Sequence, residues 1–286
     1  MASVEILASL GQHRLLSTAQ VRAIHCLGSE RRWAQKVLAR LRTAGLAECV
    51  QPPRGGPRVW FATEAGTHIA REAGALEGAP AALDAAEAAS QLQAHTLAAN
   101  DAAICFLRAA RRQGDEFGPL SWRHEVFHPL TQGRGRRRRA LCADAVLTYL
   151  RGEEGRVALE QRFLELDRAT LSVDRLAAEL ARYADLYRAG DSDGEAIWRA
   201  SYPAFPAVLC VLTGAPRPAL ERRRSTVAAL LRANPQLSRT PEASISICLL
   251  EDLESRGPFA PIFREVRRSK APIDWLRRTS GSEGRG

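Results

Sequence analysis

The chain has 286 residues, enough for two domains that each bury a core. It carries a formal net charge of +9 from arginine almost alone, since Lys36 and Lys270 are the only lysines. A basic surface of this kind attracts polyanions, nucleic acid first among them. Six scattered cysteines without a CxxC pair argue against a zinc site and for reduced thiols, and no stretch reaches the roughly 18 apolar residues of a membrane span, so a cytoplasmic protein without a membrane partner is expected.

Val4 to Leu10 has the apolar period of a short helix, and Ser17-Thr18 caps a second from Ala19 to Cys26. A third helix is predicted from about Glu30 to Thr43, where Trp33, Val37, Leu38 and Leu41 form an inward stripe. Arg31, Arg32, Gln35, Lys36 and Arg40 fall on the outward face. LAECVQPPRGGPRVWFAT then reads as two short strands around a Pro-Gly tip that carries Arg54 and Arg58, with a helix starting near Glu64. Three helices and a hairpin are the order of a winged helix-turn-helix, in which the third helix enters the major groove and the wing touches phosphate. A solvated basic face, or a winged helix used for protein contacts, is the plainer alternative. Of Trp60 and Phe61, which alternate on the second strand, one is expected in the core.

Residues 1–75 are therefore assigned to a DNA-binding domain, 76–90 to an alanine- and glycine-rich linker, 91–257 to an α/β domain with a central mixed sheet, and 258–286 to an aperiodic tail. The α/β domain opens on a helix over about 85–114 in which His95, Asn100 and Asp101 are polar residues among buried ones, read as structural groups. A strand within Pro119 to Leu130 follows, then the basic loop TQGRGRRRR with Arg134, Arg136, Arg137, Arg138 and Arg139. That loop is either a solvated run or a phosphate clamp.

Ala140 to Leu150 and Val157 to Leu166 flank a Gly-Glu-Glu-Gly turn and read as a hairpin. Strand alternation puts Glu165 and Asp167 on one side and Leu164 and Leu166 on the other. With Asp144 on the partner strand, three carboxylates are placed to hold Mg²⁺ or Mn²⁺; strand-end acids paired with nearby arginines are the alternative. Beyond them come a helix from Val173 to Ala189, an apolar strand from Ala204 to Thr213, a helix from Ala219 to Ala233 with Arg222, Arg223 and Arg224, and a strand from Ile245 to Leu250. No GxGxxG or GxxxxGK[ST] motif supports nucleotide binding.

Leu-Ser-Thr-Ala-Gln at 16–20, HTLAANDAAI at 95–104, CADAVLTY at 142–149, RFLELDRAT at 162–170 and the ARY at 181–183 occur in one order. Together, over roughly residues 15–235, they make the chain resemble the replication-relaxation family of actinobacterial plasmids and mobile elements. The resemblance implies a winged helix joined to a domain similar to the PD-(D/E)XK nuclease fold, with Asp144 as metal-binding Asp and Glu165 as second acid. It also implies a lysine two positions further on, where this chain has Asp167, and one on the following helix, where it has Glu179. Arginines 168, 175 and 182 can supply charge there but not a general base.

The function expected is DNA binding in replication, transfer or its regulation, by a plasmid or mobile-element protein whose nuclease-like domain lacks its usual lysine. The alternatives are a metal-dependent endonuclease using Asp144, Glu165 and Asp167, and a transcriptional regulator with a dimerising C-terminal domain. DNA is the expected partner, with a homodimer and other replication or transfer proteins as further candidates.

Overall fold

A computed structural model describes residues 2–26, 32–51, 56–77, 92–130, 140–153, 155–191, 193–267 and 271–277. The chain forms two compact units, Met1–Arg108 with Phe117–Arg123, and Ala109–Glu116 with His124–Gly286.

The first unit opens with α1 (Ala2–His13), β1 (Leu16–Ser17), α2 (Thr18–His25) and α3 (Trp33–Thr43). A hairpin of β2 (Ala47–Val50) and β3 (Val59–Ala62) and helix α4 (Glu64–Glu72) follow. Ser17 starts α2 through a capping box: its hydroxyl accepts from the Gln20 amide N–H at 3.1 Å, and its own N–H donates to Gln20 Oε1 at 2.9 Å. The small sheet runs β1-β3-β2, all antiparallel, so β3 is its central strand. Both faces of that strand are covered, and both Trp60 and Phe61 are buried where the sequence predicts one. Trp60 donates its indole N–H to the Thr18 hydroxyl at 2.9 Å.

Gly66 lets α4 approach this sheet, for a Cβ there would stand 1.9 Å from the Leu46 carbonyl oxygen. Gly66→Ala is expected to destabilise by about 2 kcal/mol or more through overpacking against backbone that cannot yield. A shift of the urea midpoint measures it, and an unchanged midpoint would show that the contact carries no energy.

The sequence assigns helix α5 (Leu92–Gln113) wholly to the second domain, yet its residues up to Arg108 belong to the first unit. Its polar residues explain the grouping. Asn100 is fully buried, donates to the Leu15 carbonyl at 2.9 Å and accepts from the Trp122 indole N–H at 3.0 Å. Asp101 accepts from the Gln20 amide at 2.7 Å, and burial pushes its carboxyl above the usual range despite that bond. The start of the helix expected over 85–91 lies outside the described residues, as does the start of the third helix at 30–31.

The second unit holds a six-stranded sheet in the order β4-β5-β6-β7-β8-β9. Its strands are β4 (Trp122–Pro129), β5 (Ala140–Glu153), β6 (Arg156–Asp167), β7 (Ala207–Leu212), β8 (Ile245–Leu249) and β9 (Arg264–Glu265). β5 and β6 are the expected antiparallel hairpin; β6, β7 and β8 are parallel; β9 returns antiparallel. Between them stand α6 (Val173–Arg188), α7 (Arg217–Ala233), α8 (Pro235–Ser238) and α9 (Leu250–Arg256). Leu176, Leu180, Tyr183 and Leu186 of α6 and Leu220, Val227 and Leu231 of α7 pack on Phe163, Val208, Cys210, Ile245 and Ile247 of the sheet. The fold is thus mixed α and β, with helices first and an α/β unit after them, as the sequence predicts.

The chain beyond 258 corrects the expectation of a tail. Ile262, Phe263, Val266, Ile273 and Trp275 are all buried. Trp275 packs on Tyr149 with ring centroids 4.9 Å apart, and the Arg162 guanidinium lies 5.1 Å from the centre of its ring. Loops and a two-residue strand deliver these side chains, so no period marks them.

Candidate functional site

Two surfaces carry the chemistry that the sequence singles out. The first lies at the Asp144 end of the β5–β6 hairpin, whose ladder pairs Ala145 with Leu164 at this end. One residue beyond, the Asp144 carboxylate accepts the backbone N–H of Leu166 at 2.8 Å, so a side chain extends the pairing. Glu165 accepts the Tyr183 hydroxyl from α6 and is hydrogen-bonded to Asp144. Phe163, Glu165 and Asp167 all meet α6 or α7, so alternation puts the two acids on one side as read.

Withdrawal from water, and then the negative charge of Asp144, push the Glu165 carboxyl well above the usual carboxylate range; Tyr183 opposes this and Glu179 adds to it. Burial pushes the nearby Cys142 thiol up to about 11, with Glu125, Asp144 and Glu165 adding to it, which disfavours its thiolate. Glu125 of β4 stands at φ 50°, in the left-handed region seldom used by residues other than glycine.

Because the folded state holds the Glu165 proton more tightly than the unfolded chain, its contribution to stability is complete below about pH 4.3 and is lost as pH rises toward the folded value. Glu165→Gln, which keeps the shape and cannot ionise, should flatten the decline in stability that begins above about pH 4.3. One such group changes the slope by at most about 1.4 kcal/mol per pH unit. Urea midpoints with the same pH dependence in both proteins would refute it.

Asp167 takes no part in this pair. Both its oxygens accept from Arg223 of α7, at 2.5 and 2.9 Å, and Arg223 also donates to the Leu171 carbonyl at 2.8 Å. The two side chains are 1% and 11% exposed, which makes this a buried, bidentate ion pair. Among the described residues no group of three or more His, Cys, Asp or Glu side chains is placed to hold a metal ion. Of the three acids, Asp144 and Glu165 meet, and Asp167 is committed to Arg223. Periodicity points Tyr183 inward without revealing its bond to Glu165, and the triple arginine of α7 gives no sign of which member pairs with Asp167.

The second surface is α3. Ala34, Leu38 and Leu41 are buried, Trp33 and Val37 are half-buried, and Arg32, Gln35, Lys36 and Arg40 are exposed at spacings of three, one and four residues. They share one helix face. Arg42 on the flank is paired with Glu48 at 2.6 Å, whereas Arg32, Lys36 and Arg40 make no ion pair with any described residue. Arg58, just before β3, is also exposed. Arg31, Arg54, Arg134, Arg136, Arg137, Arg138 and Arg139 lie outside the described residues.

A basic helical unit and an α/β unit with a paired acid site define a two-unit α+β protein, and no described helix is long and apolar enough to cross a membrane. The pattern of the family described as Replication-relaxation matches residues 7–196, more than half of the chain, and the chain belongs to that family. No curated protein matches it, and neither does any solved structure.

Proposed function

We propose that the chain is a DNA-binding protein acting in the replication, transfer or regulation of a plasmid or mobile element, and that α3 and the β2–β3 wing read the duplex. The observation that carries this is the exposed face of α3, where Arg32, Lys36 and Arg40 stand beside Gln35 with no acidic partner among the described residues. Cations arranged in this way on one helical ridge suit phosphate and base edges, and the order of helices and hairpin suits a winged helix. Family membership supports the setting. Retardation of a 30-base-pair duplex by the full chain, weakening as salt rises, is the test. No retardation at low salt would overturn the reading.

For the second unit we favour a nuclease-like fold that binds without cutting. A helix, three strands, a helix and a parallel strand follow the order of that fold, while Asp167 is held by an arginine and the only lysines, Lys36 and Lys270, stand far from it in sequence. The meeting of Asp144 and Glu165 favours the second reading, a metal-dependent endonuclease. Nicking of supercoiled plasmid with Mg²⁺ or Mn²⁺, abolished by Glu165→Ala, would establish it; DNA retarded equally by both proteins and cut by neither supports binding alone.

A further inference from the structure

The β5–β6 hairpin reaches beyond the strand that flanks it. β6 starts at Arg156, but its parallel pairing with β7 starts only at Arg162, opposite Ala207. The residue before Ala207 is Pro206, which has no N–H to carry the ladder further. Residues 156–160 are therefore bonded to β5 on one side, while on the other no described strand pairs with them and no described residue bonds to their backbone. An unpaired stretch of strand is a template for another one.

Its side chains suit such pairing. Val157 is 71% exposed and Leu159 45%. Both alternate with Phe163, so they lie on the α6 side of the sheet, and Arg156, Ala158 and Glu160 lie on the other. Arg156 is exposed and makes no ion pair with any described residue; Glu153, which stands opposite it on β5, is held by Arg151 at 2.5 Å. Glu160 gives Oε2 to Arg162 at 2.9 Å, and its Oε1 stays 3.9 Å from Arg151, beyond hydrogen-bonding reach. One carboxylate oxygen and one guanidinium on this edge thus lack a close partner of opposite charge.

The order of residues is also self-complementary. When a second copy lays its own edge antiparallel to this one, with the twofold axis through Ala158, Arg156 of each copy stands opposite Glu160 of the other and Val157 opposite Leu159. A single axis makes each of these contacts twice. A shift of one residue in either direction would set Val157 against Glu160 or Arg156 against Leu159, so the register is specified.

We propose that two copies of the chain associate through the β6 edge at 156–160, in this antiparallel register, joining their six-stranded sheets into one. The inference is independent of the DNA reading.

Sedimentation equilibrium of the full chain over a range of concentrations is the test. Wild type is expected to reach a dimer. Val157→Lys, at an exposed position where substitution costs the fold little, should weaken it about tenfold or more, and so should Arg156→Glu, which turns both charge pairs into repulsions. Glu160→Arg does the same with the opposite sign. An equimolar mixture of Arg156→Glu and Glu160→Arg should dimerise again, because only the heterodimer restores attraction at both pairs, and failure of that rescue between folded variants overturns the register. Should Glu160→Arg fold poorly for want of the carboxylate that holds Arg162, Arg156→Glu and Val157→Lys decide between them. A wild type that stays monomeric overturns the proposal; Arg156 and Glu160 are then charges that keep the edge in water, or the edge belongs to a strand of another protein. A dimer untouched by Val157→Lys and Arg156→Glu has its interface elsewhere and overturns it as well.

Discussion

Asp167→Ala is expected to cost about 3–5 kcal/mol of stability, because it leaves the Arg223 guanidinium buried without its carboxylate. Arg223→Ala should cost a similar amount for the converse reason. The double variant Asp167→Leu/Arg223→Met, which replaces the pair by apolar groups, should recover most of the loss, and urea unfolding of the four proteins measures that recovery. A metal-ligand role predicts otherwise: removing one of several crowded carboxylates from a metal-free protein would be neutral or stabilising. Asp167→Ala as stable as wild type would therefore return this residue to the acid set.

Arg32→Ala/Lys36→Ala should weaken duplex binding and lower the salt slope by about 2, since each phosphate contact contributes roughly 0.9. Between 50 and 200 mM salt the difference between variant and wild type would narrow, because the variant has fewer counterions to release. Both side chains are exposed and make no ion pair with a described residue, so the thermal midpoint should stay within about 1 °C of wild type. Weaker binding with an unchanged slope would point to base contacts alone. Unchanged binding would take α3 out of the interface.

The elements that position these sites are legible where one period runs long enough. The stripe through Leu38 and Leu41 locates α3, and two β-prone runs around Gly152 to Gly155 locate the hairpin. What stays hidden is side-chain pairing between distant elements. Asp167 and Arg223 are 56 positions apart, with three consecutive arginines on offer, and strand alternation cannot choose among them. Glu165 and Tyr183 are 18 apart, and an inward tyrosine on an amphipathic helix looks like core until its hydroxyl is followed. The chain beyond 258 gives no signal because burial there is achieved by loops. The grouping of α5 does leave a trace in the sequence: Asn100 and Asp101 are polar residues in an otherwise buried run, and such groups need partners. Their partners lie in the N-terminal segment, on Leu15 and Gln20.

The Gln20 amide does two things at once, since its oxygen closes the cap of α2 while its nitrogen donates to the Leu97 carbonyl and to Asp101. A genetic or laboratory cut near residue 75 would sever the first of these from the second. The excised piece would keep every helix proposed to touch DNA and lose the one that satisfies Gln20 and the Leu15 carbonyl. The linker read from the sequence at 76–90 is therefore a poor place to divide the protein. A fragment made to test the proposed DNA contact has to extend through Trp122, and recombination between relatives should preserve 15–20 and 97–122 as one inherited block.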